Sequence, residues 1–111
     1  PAMKLSWESG RLVEAGMETF AEGVATRVPF ENTQRLMREL VDDFLLVDDQ
    51  DIRHAVRLMI EHTHNLVEEA GAIPLAAALQ LGEALAGQNL VLVASGGNIS
   101  MDNLRATLAP S

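Results

Sequence analysis

The chain has 111 residues, 48% of them apolar and 22% charged, with a formal charge of −8 at pH 7 and no cysteine. Such a composition describes one small globular domain spanning residues 1–111, and it excludes a disulfide framework or a thiolate metal centre. The acidity argues against nucleic acid or an anionic membrane surface as partner; no apolar run is long enough to cross a bilayer and no leader-like segment opens the sequence, so a cytoplasmic setting is expected.

Residues 1–16 carry no clear periodicity and form a poorly assigned N-terminal segment, in which Trp7, the lone tryptophan, is expected to act as a buried anchor. Pro1 and Ala2 precede Met3, which makes Met3 the expected native start of a short chain. From Met17 to Arg27 a short helical turn is interrupted by Gly23, and Pro29 stops it because the residue before a proline avoids the helical region. Asn32 or Thr33 can then cap a helix running to about Val41, with Leu36, Met37, Leu40 and Val41 on one face.

Phe44 to Val47 lies between Asp42-Asp43 and Asp48-Asp49 and reads as a buried strand. Its acidic flanks could hold a cation, or they end the strand and cap the next helix, where the dipole favours negative charge. Asp51 to Glu69 is the clearest helix, with Ile52, Ala55, Val56, Met59, Ile60, Thr63, Leu66 and Val67 at i, i+3, i+4, i+7 spacing. Ala70-Gly71 breaks that run, and Pro74 suits the first turn of a new helix from Leu75 to about Leu85, closed by Gly87. Asn89 to Ala94, NLVLVA, has the composition of a strand buried on both faces. Gly96 and Gly97 turn the chain after it, and a last short helix spans Met101 to Leu108.

Helices alternating with strands predict an α/β fold, a partial three-layer sandwich with a short, mostly parallel sheet of two or three strands flanked by four or five helices. Two clear strands make a poor sheet with open edges, so either the N-terminal segment adds a strand or a partner chain completes it. In open α/β sheets ligands are met beyond the carboxyl ends of the strands, which singles out Ser95 and Asn98.

Other constellations are weaker. His62 and His64, two apart on a helix, point away from each other and cannot share an ion, and His54 has no partner at helical spacing. Ser95 has no neighbouring base and no GxSxG elbow. Glu18 and Glu22 lie one helical turn apart and could ligate a hard cation such as Mg²⁺ or Ca²⁺, although a pair of solvated acids is the plainer reading.

Four short motifs occur in order along the chain: Glu18-Thr-Phe-Ala-Glu22-Gly23, Val41-Asp-Asp43, Glu68-Glu-Ala-Gly-Ala72 and Ser95-Gly-Gly-Asn98. Together they resemble the ETIADG, VDD, EPAGA and SGGN segments of the serine/threonine dehydratase (serine racemase-like) group of pyridoxal-phosphate (PLP) enzymes, which have the tryptophan-synthase-β (type II) fold. The resemblance implies that Ser95 hydrogen-bonds the pyridine nitrogen of PLP, that Gly96, Gly97 and Asn98 belong to the same cofactor-binding turn, and that Glu68 lines the cavity. It also implies a site for a divalent cation or potassium at Glu18, Ala21 and Glu22, with Glu22 in place of the family's aspartate. Glu69 replaces the proline of EPAGA.

The parts of that family that precede these motifs have no counterpart here. Lys4, the only lysine, stands in no SFKxRGA-like context, and neither an SxGNH loop nor a glycine-rich phosphate cup is present. The resemblance therefore implies no catalytic residue within these 111 positions. The chain is expected to be a remnant of a dehydratase-like catalytic domain, inactive by itself and self-associating as a dimer. Two other readings stand beside it: one half of a split dehydratase whose Schiff-base lysine comes from another chain, and a small-ligand or cation-binding module.

Overall fold

The computed structural model describes residues 1–16, 21 and 28–110. The chain divides into two compact units, one made of Pro1–Thr19 and Val24–Leu46 and the other of Phe20–Gly23 and Val47–Ser111.

The first unit contains a pair of helices, α1 (Ala2–Ser9) and α2 (Glu31–Leu40). The N-terminal segment, which shows no periodicity in sequence, is thus helical from Ala2 to Ser9 and is ended by Gly10 in the left-handed region at φ 71°. Polar groups hold the pair. Gln34, fully buried, donates from Nε2 to the Met3 carbonyl at 3.0 Å, and Arg38 donates to the Ser6 carbonyl at 3.2 Å. Trp7 is half-buried, not buried as expected, and is held by two contacts, an Nε1 hydrogen bond to the Met37 carbonyl at 3.1 Å and a tilted ring contact with Phe44. Helix α2 begins at Glu31 with Phe30 as its half-in residue, earlier than an Asn32 or Thr33 cap would place it. Its expected apolar face is only partly covered: Leu36 and Leu40 are exposed, Met37 and Val41 are half-buried, and the residue that α2 buries is Gln34.

Among the described residues, the second unit contains α3 (Asp49–Thr63), α4 (Glu69–Leu81), a 3₁₀ turn at Gly82–Leu85 and α5 (Met101–Leu108). Ile52, Ala55 and Val56 of α3 meet Ala72 and Ala76 of α4, with Val67 and Ala21 closing the core and Met59, Ile60, Ile73 and Leu75 packed around it. Small alanines on α4 let the two helices approach closely around the larger side chains of α3. Arg57 of α3 donates to the Thr107 carbonyl of α5 at 3.0 Å, a cation placed where the helix dipole is negative. Ser100 caps α5 by accepting from the Asn103 amide at 3.1 Å.

Helix α3 stops at Thr63, well short of the Glu69 terminus that the apolar spacing predicts. His64 takes a left-handed conformation at φ 59° and closes the helix onto the Ile60 carbonyl. Local side-chain bonds then compete with helix continuation: Thr63 Oγ1 donates to Met59 O and accepts from the Asn65 amide. Helix α4 in turn begins at Glu69, so Ala70 and Gly71 lie inside it and Pro74 falls in its interior. Proline there offers no amide to the Ala70 carbonyl and its ring crowds that carbonyl, so α4 carries the residue at a cost.

The expected sheet is not formed. Among the described residues there is no strand, and neither 44–47 nor 89–94 makes a ladder hydrogen bond. Composition makes a segment suitable for a buried strand, but pairing requires neighbouring backbone, and the described residues supply none. The uncovered state of the second segment follows: Val91 is 88% and Val93 70% exposed, with Leu90 and Leu92 exposed as well.

Candidate functional site

The SGGN turn is fixed by the start of α4. The Glu68 amide donates to the Gly96 carbonyl at 3.0 Å, and the Ile99 amide closes a tight turn onto the Gly97 carbonyl at 2.9 Å. Three glycines make the approach possible. A Cβ on Gly71 would lie 2.8 Å from the Gly96 oxygen, and one on Gly97 would lie 2.8 Å from the Leu66 oxygen. A Cβ on Gly96 would collide with Glu68 Oε1. Residues 66–71 and 95–97 therefore interlock backbone to backbone, which only residues without a Cβ permit.

Within that lock, Ser95 and Asn98 are exposed and their side chains hydrogen-bond to no described residue. A hydroxyl and a carboxamide held on a fixed turn, with donor and acceptor capacity to spare, can meet a polar ligand atom. Glu68 is half-buried beside them, so the structure brings Ser95, Gly96, Gly97, Asn98 and Glu68 together. Sequence reasoning missed the parts played by Leu66 and Gly71. The glycine in EEAGA was the available signal, since a glycine inside a helix costs stability unless something approaches it.

Of the candidate cation ligands, Glu18 and Glu22 lie outside the described residues, whereas Ala21 is fully buried in the α3–α4 core. Among the described residues no three histidine or acidic side chains gather as a metal site would require. Asp48 is the half-in residue of α3 but its side chain makes no capping hydrogen bond, so of the capping reading of the acidic flank only the placement holds, with Asp49 and Asp51 in the first turn, where the helix dipole favours negative charge. Asp43 accepts from the Phe44 amide at 2.7 Å. His64 is the C-terminal cap of α3, and His54 lines a shallow groove with Asp51, Ala76, Leu79 and Gln80. Lys4 sits on α1, 3.6 Å from Glu8 in an i, i+4 pair. No helix among the described residues is long and apolar enough to cross a membrane.

Comparison with known proteins agrees with the motifs. Residues 1–96 match the family of pyridoxal-phosphate dependent enzymes, and the chain belongs to that family. It is 37% identical over 105 residues to the L-threonine ammonia-lyase of Geobacter sulfurreducens, covering 94% of this chain and 26% of that protein. Among solved structures, a threonine deaminase from T.th. superposes with a TM-score of 0.81 at 39% identity, covering 89% of this chain and 36% of that one. Processed threonine deaminase isoform 2 from Solanum lycopersicum gives 0.84 at 31% identity, covering 96% and 32%. The particular group is thus the serine/threonine dehydratases, and the chain corresponds to a fragment of their PLP-dependent domain, spanning about a quarter of the length of the curated relatives it matches.

The residues present fit one end of that cofactor. An exposed hydroxyl at Ser95, with no hydrogen bond among the described residues, has the capacity to meet a ring nitrogen, and the covered glycines beside it fix the turn that carries it. In the second unit, Arg57 is engaged with the Thr107 carbonyl and Arg105 with Asp102 at 3.1 Å.

Proposed function

We propose that this chain forms the wall of a threonine dehydratase-like catalytic domain that faces the ring of PLP, with Ser95 as the partner of the pyridine nitrogen and Glu68 lining the same cavity. When bound, PLP supplies an electron sink for negative charge developing at the α-carbon of an amino acid such as L-threonine. A neutral hydroxyl at Ser95 accepts or donates one hydrogen bond without imposing a charge on the ring, which favours elimination over transamination. Gly96 and Gly97 keep the turn flat against the start of α4, so Ser95 is presented from a fixed backbone.

By themselves these 111 residues are catalytically silent under this reading, because the lone lysine, Lys4, stands in no SFKxRGA-like context and no glycine-rich phosphate cup accompanies it. The chain self-associates as a dimer or is completed by a chain carrying the missing catalytic half. The uncovered apolar run 89–94 favours both outcomes. The Glu18, Ala21 and Glu22 trio is retained as a proposed site for a divalent cation or potassium. The observation that carries the reading is the interlocked SGGN turn and α4 start, in a chain matching the PLP family over residues 1–96.

The test is direct. The purified chain, with PLP and L-threonine or L-serine, is expected to release no 2-oxo acid, and borohydride is expected to fix no cofactor on Lys4. Turnover, or a trapped adduct on Lys4, overturns the silent reading. Ser95→Ala is expected to weaken cofactor binding when the chain is mixed with a dehydratase front half, and unchanged binding removes Ser95 from its assigned role.

A further inference from the structure

Glu68 occupies the half-in position at the start of α4, where Ser, Thr, Asp or Asn ordinarily accepts a bond from the helix's free amides. It makes no such bond. Glutamate is one methylene longer than the side chains that cap best, and its carboxylate is directed instead onto Gly96, into the space a Cβ there would fill. Gly96 also meets the backbone of α4 at Gly71, whose missing Cβ admits the Gly96 carbonyl. The turn is thus held between the backbone of α4 and a carboxylate. The two glycines at its centre would otherwise give it wide conformational freedom.

We infer that Glu68 is a positioning residue: its carboxylate, packed on Gly96, holds the 95–98 turn in place and so sets where the Ser95 hydroxyl points. This deepens the proposed function and rests on it only for what Ser95 contacts. The hold itself is a property of the chain without ligand. Two backbone amides report it: that of residue 68, whose bond to the Gly96 carbonyl breaks when the turn lifts, and that of Ile99, whose bond to the Gly97 carbonyl is lost when the freed turn changes shape.

The experiment is amide exchange by NMR on the full chain, corrected for intrinsic rates, on the wild type, Glu68→Gln, Glu68→Ala and Glu68→Asp. Glu68→Gln keeps the length and shape of the side chain, and exchange at both amides should stay near wild type. Glu68→Ala empties the space over Gly96, and exchange should rise roughly tenfold. Glu68→Asp separates positioning from general stability. The shorter acid can cap α4, so the melting temperature should hold or rise, while the turn amides should still exchange faster. Exchange that merely follows the melting temperature across the series overturns the inference, as does wild-type exchange in Glu68→Ala. Titrating pyridoxal 5′-phosphate into the labelled wild type mixed with a dehydratase front half tests the separate question. If the 95–98 resonances do not move, the cofactor reading fails while the exchange series still decides the role of Glu68.

Discussion

Gly71 and Gly96 touch through backbone alone: a Cβ on residue 71 would stand 2.8 Å from the Gly96 carbonyl oxygen and 3.3 Å from its nitrogen. Gly71 lies inside α4, where alanine would ordinarily gain about 1 kcal/mol of helix propensity. The obstacle is a main-chain atom, itself tied to the Glu68 amide, so relief requires the turn to move. Overpacking of this kind costs about 1–3 kcal/mol, which outweighs the propensity gain. Gly71→Ala should therefore lower the melting temperature and loosen the 95–98 turn while α4 keeps its helicity by circular dichroism. Gly96→Ala should be milder, since the atom in its way is the end of a flexible glutamate.

In the first unit, Gln34 is fully buried with Oε1 unpartnered, while Nε2 bonds the Met3 carbonyl. Removing the whole side chain loses the bond and leaves a void, a loss of about 1–3 kcal/mol. Gln34→Met keeps the volume and removes the unsatisfied oxygen along with the donor. Chemical denaturation should find Gln34→Ala clearly destabilised and Gln34→Met within about 1 kcal/mol of wild type.

How much of this was legible follows from which forces act locally. Helix α3 and helix α5 could be read because their apolar spacing and caps are properties of consecutive residues. The end of α3 could not, since Thr63, His64 and Asn65 overrule a pattern that continues through Leu66 and Val67. Helix α1 escaped notice because it is held by Gln34 and Arg38, distant in sequence, reaching its carbonyls. The α/β architecture misled for a different reason: residues 89–94 have the composition of a central strand, but a sheet is a relation between segments. The site residues were legible through motif resemblance, whereas the interlock of Gly71 with Gly96 depends on how distant stretches of backbone meet.

Pro74 offers a test of how α4 tolerates an interior proline. The ring removes the amide that would bond the Ala70 carbonyl, at a cost of about 3 kcal/mol in an ordinary helix. Its half-buried side chain repays part of that by packing. Pro74→Ala should raise the melting temperature, and a decrease would show that the ring's contacts dominate the missing bond.

The run 89–94 carries the most consequential prediction. Val91 and Val93 alternate on one side of a segment whose backbone pairs with nothing among the described residues. Apolar side chains at this exposure, next to unpaired backbone, are the usual template for association. Lysine at both positions keeps the segment's length but places two charges where a second copy of the chain would pack, so Val91→Lys/Val93→Lys should sediment as a monomer, whereas the wild type is expected to dimerise. Because neither valine contributes to the α3–α4 core, helix content should not change. If the double variant still dimerises, association uses another face, and the exposed leucines of α2 become the next surface to charge.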